Sequence, residues 1–157
     1  MKRNIGPTTL VLLVLAMFVV SMASPSALAQ QCSLAAAAGA YGFTGTGTLL
    51  LSTGAVPIAA VGRLNLRADG TLTGTEARSV GGDFANETLT GTWTVNANCA
   101  FKITAKVFVS GALVRTSVLS GVLDENMTEA RDVQKSLTLP DGTNVPVVIT
   151  FEARRIF

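Results

Sequence analysis

From Gly39 onward the chain is rich in Thr, Val, Gly and Leu, and several stretches alternate apolar with polar residues. The cleanest stretch is Ile58–Ala68, where Ile58, Ala60, Gly62, Leu64 and Leu66 share one parity and Arg63, Asn65 and Arg67 the other. Successive side chains of a strand point to opposite faces, so this alternation predicts a strand with one side buried. Further strands follow over Tyr41–Leu51, from Thr71, up to Val95, over Phe101–Val109, Ala112–Val122, Met127–Leu139 and Val145–Arg155. Gly, Asn, Asp and Pro clusters separate them: Asp69-Gly70, Gly81-Gly82, Ala97-Asn98-Cys99, Ser110-Gly111, Asp124-Glu125-Asn126 and Pro140-Asp141-Gly142. Short strands with regular turn signals predict an all-β domain.

The alternation also constrains register. A three-residue loop at Ala68-Asp69-Gly70 sets Leu66 against Leu72, Asn65 against Thr73 and Leu64 against Gly74, whereas a two-residue loop mixes the faces. A one-residue slip would move every apolar side chain to the wrong side, and Gly70 suits the left-handed position of such a loop. In the next hairpin Thr71-Leu72-Thr73-Gly74-Thr75 recurs letter for letter at Thr88-Leu89-Thr90-Gly91-Thr92. A tight turn at Gly81-Gly82 opposes Glu76 to Glu87, and a longer turn pairs Leu72 with Trp93; both keep the faces sorted, and the choice stays open. Trp93 and Val95 continue the inner face, followed by Phe101, Ile103, Ala105, Val107 and Val109, with Lys102, Thr104 and Lys106 outside. The inward face of Ala112–Val122 is ambiguous; with a two-residue turn at Ser110-Gly111, Val114, Thr116 and Val118 point inward, the preferred version because it leaves the Arg115 charge in water.

Eight strands joined by short loops run antiparallel to their neighbours. The expected architecture is a single eight-stranded antiparallel up-and-down barrel, with an open β-sandwich as the alternative. Eight strands enclose an interior that side chains fill or that holds one small ligand. Gly62, Gly74 and Gly91 on the inner face suit the bending that closure requires.

The first residues belong to another kind of segment. Lys2 and Arg3 precede an apolar run over Thr9–Val20, and Ala27-Leu28-Ala29 has the small-x-small pattern of a signal-peptidase site. Residues 1–29 are expected to be a signal peptide and residues 30–157 the barrel domain, exported to the periplasm or the extracellular space. Without Lys2 and Arg3, the 12 basic residues of the chain come level with its 10 acidic ones. A neutral exported domain offers nucleic acid and anionic lipid no electrostatic attraction. Cys32 and Cys99 are the only cysteines and histidine is absent, so a disulfide is expected and neither a metal nor a cofactor. The up-and-down topology brings Cys32 and Cys99 to the same end of the barrel. Closing so long a loop stabilises a fold by about 4 kcal/mol, less any strain.

Gly39-x-Tyr41-x-Phe43, Gly62-Arg63-Leu64 leading to Asp69-Gly70, Gly74-Thr75, and Gly91-Thr92-Trp93-Thr94-Val95-Asn96 leading to Cys99 span nearly the whole exported part. In these the chain resembles a group of small secreted bacterial barrel proteins. More distantly it is similar to calycins, the lipocalin-like carriers, and to the allene oxide cyclase and dirigent barrels. Tyr41 with Arg154 or Arg155 resembles the lipocalin pairing of a first-strand aromatic with a late arginine, with Tyr where lipocalins carry Trp.

Three functions are consistent with such a barrel. The first is binding of a small apolar molecule by Tyr41, Phe43, Leu64, Glu76, Trp93 and Ile103, all on the expected inner face, where such residues are more often plain core than ligand contacts. The second is a ligand-free structural or surface-interaction module. The third is a cyclase- or isomerase-type enzyme, implied by the allene oxide cyclase likeness, with Glu76 as acid or base; the competing role for Glu76 is a rim carboxylate reaching water or Arg78. Without histidine, nucleophilic triads are excluded. An outer-membrane barrel is a rival for localisation, opposed by Arg155 on the face of Phe151 and Ile149 and by the lack of aromatic girdles. Asn86-Glu87-Thr88 and Asn126-Met127-Thr128 are glycosylation sequons only in a eukaryotic secretory pathway.

Overall fold

The computed structural model describes residues 31–156; the expected signal peptide over residues 1–29 lies outside them. A four-residue helix, α1 (Leu34–Ala37), leads into β1 (Gly39–Leu51), β2 (Gly54–Leu66), β3 (Thr71–Val80), β4 (Asp83–Val95) and β5 (Ala100–Val109). β6 (Ala112–Leu123), β7 (Glu129–Thr138), β8 (Asn144–Val145) and β9 (Val147–Ile156) complete the chain. Sequential strands pair antiparallel, β1 pairs with β9, β9 with β7 and β7 with β6, so eight strands close on themselves and the two-residue β8 flanks β7. The closed barrel, not the sandwich, is the fold. The expected strand Val145–Arg155 is split at Pro146, which has no N–H to give to a ladder.

With β1 taken as rising, α1 and the β2–β3, β4–β5 and β6–β7 loops lie at the lower end, and the remaining turns at the upper end. The Ala68-Asp69-Gly70 hairpin has the expected register, Leu66 opposite Leu72 and Leu64 opposite Gly74. Gly70 takes φ +81° there, a conformation that side chains with a Cβ resist. The β3–β4 hairpin takes the tight register, with Glu76 opposite Glu87. Gly62 is required by close approach: a Cβ on it would meet the Phe43 ring and the Thr75 carbonyl.

Two irregularities redirect side chains. Between Val107 and Phe108 the β5–β6 register shifts, pairing Phe108 with Leu113 but Val107 with Arg115. A bulge sets two residues against one and reverses facing beyond it. The turn at Ser110-Gly111 is tight as expected, but Arg115, Ser117 and Leu119 point inward in place of Val114, Thr116 and Val118. A second shift, between Val118 and Leu119, leaves Lys135 of β7 without an opposite number.

The lower end is sealed. Cys32 and Cys99 form the disulfide, with their Cα atoms 5.0 Å apart. Ser33 caps α1 by accepting from the Ala36 N–H at 3.2 Å. The Tyr41 hydroxyl lies 2.9 Å from the Ala37 carbonyl and 2.8 Å from the Met127 carbonyl. It donates to one at a time, tying helix and β6–β7 loop to β1. Arg155, opposite Tyr41 on β9, donates to the Ala36 and Ala38 carbonyls.

Candidate functional site

Alternation on eight tilted strands delivers half of their side chains to one interior. There they enclose a cavity of about 80 Å³. Tyr41, Phe43, Leu64, Glu76, Trp93 and Ile103 all line it. Tyr41, Phe43, Trp93, Ile103 and Glu76 are buried and Leu64 half-buried. Phe43 meets Phe151 edge-to-face, ring centroids 6.1 Å apart, a favoured aromatic geometry. Trp93, the single tryptophan, sends its indole N–H to the Arg67 carbonyl at 2.9 Å. Its ring is thereby held in one orientation.

The upper half of the wall carries four charges. Arg115 donates from Nη1 to Glu87 Oε1 at 2.8 Å and from Nη2 to Glu87 Oε2 at 2.7 Å, a two-pronged pair. The same Nη2 meets Glu76. Arg78 adds a bond from Nε to Glu87 Oε1 at 2.9 Å. Two guanidiniums thus answer two carboxylates whose opposition alone would be repulsive. Burial, together with the hydrogen bond shared with Glu87, pushes the Glu76 carboxyl up to about 7 against the pull of Arg115. Burial also pushes Glu87 upward, but its hydrogen bonds to Arg115, Glu76 and Arg78 outweigh this and hold it at about 2. Glu76 is therefore no rim carboxylate reaching water or Arg78; it is buried against Arg115, while Arg78 serves Glu87.

One interior carboxyl has no such answer. Asp132 on β7 lines the cavity opposite Gly121 of β6 and Phe151 of β9. Its Oδ1 is buried without a hydrogen-bond partner among the described residues. Burial alone pushes the Asp132 carboxyl up to about 7. Gln134, the next inward residue of β7, is satisfied by Ser117 Oγ at 3.1 Å and the Ser136 carbonyl at 3.2 Å.

Sequence reasoning missed Glu87, Arg115 and Asp132. Glu87 had a signal, since the tight β3–β4 register places it beside Glu76. Arg115 and Asp132 had none in simple alternation. Among the described residues no group of three or more His, Cys, Asp or Glu side chains is placed to hold a metal ion.

No protein-family model matches the chain, and no curated protein matches it. Among solved structures, that of EF1p2_mFAP2b bound to DFHBI is similar, with a TM-score of 0.51 at 12% identity, covering 80% of this chain and 100% of that one. At that identity the likeness concerns the fold.

Proposed function

We propose that this protein is an exported carrier that holds a small apolar molecule inside its barrel. The observation that carries the reading is the cavity itself, an unfilled space on the barrel axis walled by Leu64, Leu89, Trp93, Ile103 and Phe151. An apolar wall of this kind takes up apolar molecules of matching size. At about 80 Å³ the volume is far below the roughly 300–1,000 Å³ of drug-sized pockets, so the ligand is compact or slender. The similar barrel bound to DFHBI lends the fold a precedent for small-molecule binding. Export is supported by the disulfide, a bond that persists in oxidising compartments. A soluble rather than outer-membrane location is supported by the inward apolar face and by Arg63, Lys102, Lys106 and Arg131 exposed outside, the reverse of a lipid-facing barrel. Lipocalin-like use of the barrel belongs to the same proposal and is supported by the pairing of Tyr41 with Arg155.

The small volume also favours a second reading, a ligand-free module whose interior is only core. Native mass spectrometry of the protein purified from its source separates the two. A co-purifying small molecule, released on unfolding, is the expected result. Repeated absence of any adduct, with Trp93 fluorescence unmoved by toluene, overturns the carrier reading and leaves the module.

A further inference from the structure

The interior does not balance its charges. Glu76 and Glu87 are matched by Arg115 and Arg78. Asp132 has no such match, and it lines the same cavity. A buried carboxyl oxygen that accepts nothing bears the full cost of leaving water, and native interiors rarely leave such an atom unanswered. The elements beside it supply no answer. On β6 its inward neighbours are Gly121, Leu119 and Leu123, and the inward charge of that strand, Arg115, is engaged by Glu76 and Glu87. On β9 they are Phe151 and Ala153, and Arg155 is spent on the carbonyls of Ala36 and Ala38. On β7 itself, Ala130 is apolar and Gln134 is satisfied within the wall. Arg131 and Glu152 face each other on the outside of the β7–β9 pair. No side chain among the described residues partners Asp132 Oδ1, and the cavity gives a ligand access to it.

Resting on the carrier reading, we propose that the cavity takes a compact apolar amine whose nitrogen donates to the Asp132 carboxylate. The apolar body lies against Leu64, Trp93, Ile103 and Phe151, and the ammonium supplies the one positive charge the interior lacks. A charged donor suits the site better than a neutral one, because it holds Asp132 ionised in surroundings that otherwise favour its acid form. A neutral hydrocarbon of equal size would fill the space but leave Oδ1 unanswered. An anion would meet a like charge.

The test uses two probes of one size, cyclopentylamine and methylcyclopentane, titrated into the purified protein at pH 8.5 and at pH 5. Trp93 fluorescence and calorimetry supply the readouts. At pH 8.5 the amine should bind about tenfold tighter than the hydrocarbon or better, as hydrogen bonds to charged groups warrant. At pH 5, where Asp132 is protonated, and in Asp132→Asn at either pH, that preference should vanish while hydrocarbon binding persists. The pH 5 arm tests the idea even where the variant fails to fold. Hydrocarbon binding equal to or tighter than amine binding at pH 8.5, or an amine preference surviving in Asp132→Asn, overturns this inference and leaves the carrier reading standing. If neither probe binds the folded protein, both fall.

Discussion

The two ends of the barrel are held by different chemistry. At the lower end a disulfide, a capped turn of helix, the Tyr41 hydroxyl and the Arg155 guanidinium bind chain to chain through one covalent bond and donors to backbone carbonyls. In the upper half, Arg115 and Arg78 span from β6 and β3 to Glu76 and Glu87, and Leu50, Leu51, Phe84 and Leu113 stand exposed beyond them. One end is fixed by constraint on the chain, the other by charges that pH can change. Between pH 5 and pH 8 the lower end should therefore respond to reduction and not to pH, and the upper half should do the opposite.

The strongest way to break the contrast is Arg115→Met. Removing the shared cation leaves two buried carboxyls face to face, and loss of one partner of a buried ion pair costs up to about 5 kcal/mol. Both carboxyl pKa values rise in the variant. A raised folded pKa gives stability that is full below the unfolded value and lost as pH climbs, so urea unfolding should show a large deficit at pH 8 and a small one at pH 4. In the parent protein Glu87, held at about 2, contributes with the opposite sign: its stabilisation is present above about pH 4.5 and lost as pH falls through 2. Next in size is the double change Cys32→Ser with Cys99→Ser. With the cysteines 67 positions apart in sequence, the chain-entropy model gives a loss of roughly 4 kcal/mol, and it should be equal at pH 5 and pH 8. A pH-dependent loss would mean that the two ends are coupled.

Asp132→Asn tests the interior from the other side, because it should stabilise. With its carboxyl raised from 3.8 to about 7, Asp132 gives full stability below about pH 4 and takes it away as pH rises through 7. Near pH 8 that loss is roughly 3 to 4 kcal/mol at about 1.4 kcal/mol per pH unit. The uncharged isostere should recover most of it in urea titrations above pH 7 and flatten the slope between pH 4 and 7. Glu76, also near 7, keeps a remnant of the same sign. Equal midpoints for the two proteins at pH 8 would show that Asp132 is already answered in the empty protein.

The sequence made the frame legible because the frame depends on parity. Leu66 opposite Leu72, the inner set of Phe101, Ile103 and Val107, and the joining of Cys32 to Cys99 all follow from counting in twos along strands linked by short turns. Parity fails wherever a residue is inserted. Val114, Thr116 and Val118 make as good an inner face as the one β6 presents, and a bulge of one residue beside Val107 selects the other. The arginine it turns inward finds its carboxylates 39 and 28 residues away, beyond any local pattern. β7 deceives in a second manner: Val133 is 53% exposed while Asp132 faces the cavity. Lys135, skipped in the pairing with β6, returns Leu137 to the interior. Read alone, Asp132-Val133-Gln134 predicts the opposite face.

The smallest effect is the most discriminating. Tyr41→Phe removes one hydroxyl that ties α1 and the β6–β7 loop to β1, and a single hydrogen bond of this kind is worth about 1 kcal/mol net. Phenylalanine keeps the ring in the core, so the barrel and its cavity persist. Hydrogen exchange should quicken at the α1 amides of Ala37 and Ala38, which donate to Ser33 and Leu34, while amides of β3 and β4 beside the charged wall stay protected. The same loss should appear at pH 4.5 and pH 8. Burial raises the phenol above its ordinary value even with the Arg155 guanidinium nearby, so Tyr41 carries no charge at either pH. A loss that differs between the two pH values would mean that a titrating group takes part in the seal. The seal at the lower end would then depend on charge, and the division between the two ends would fail.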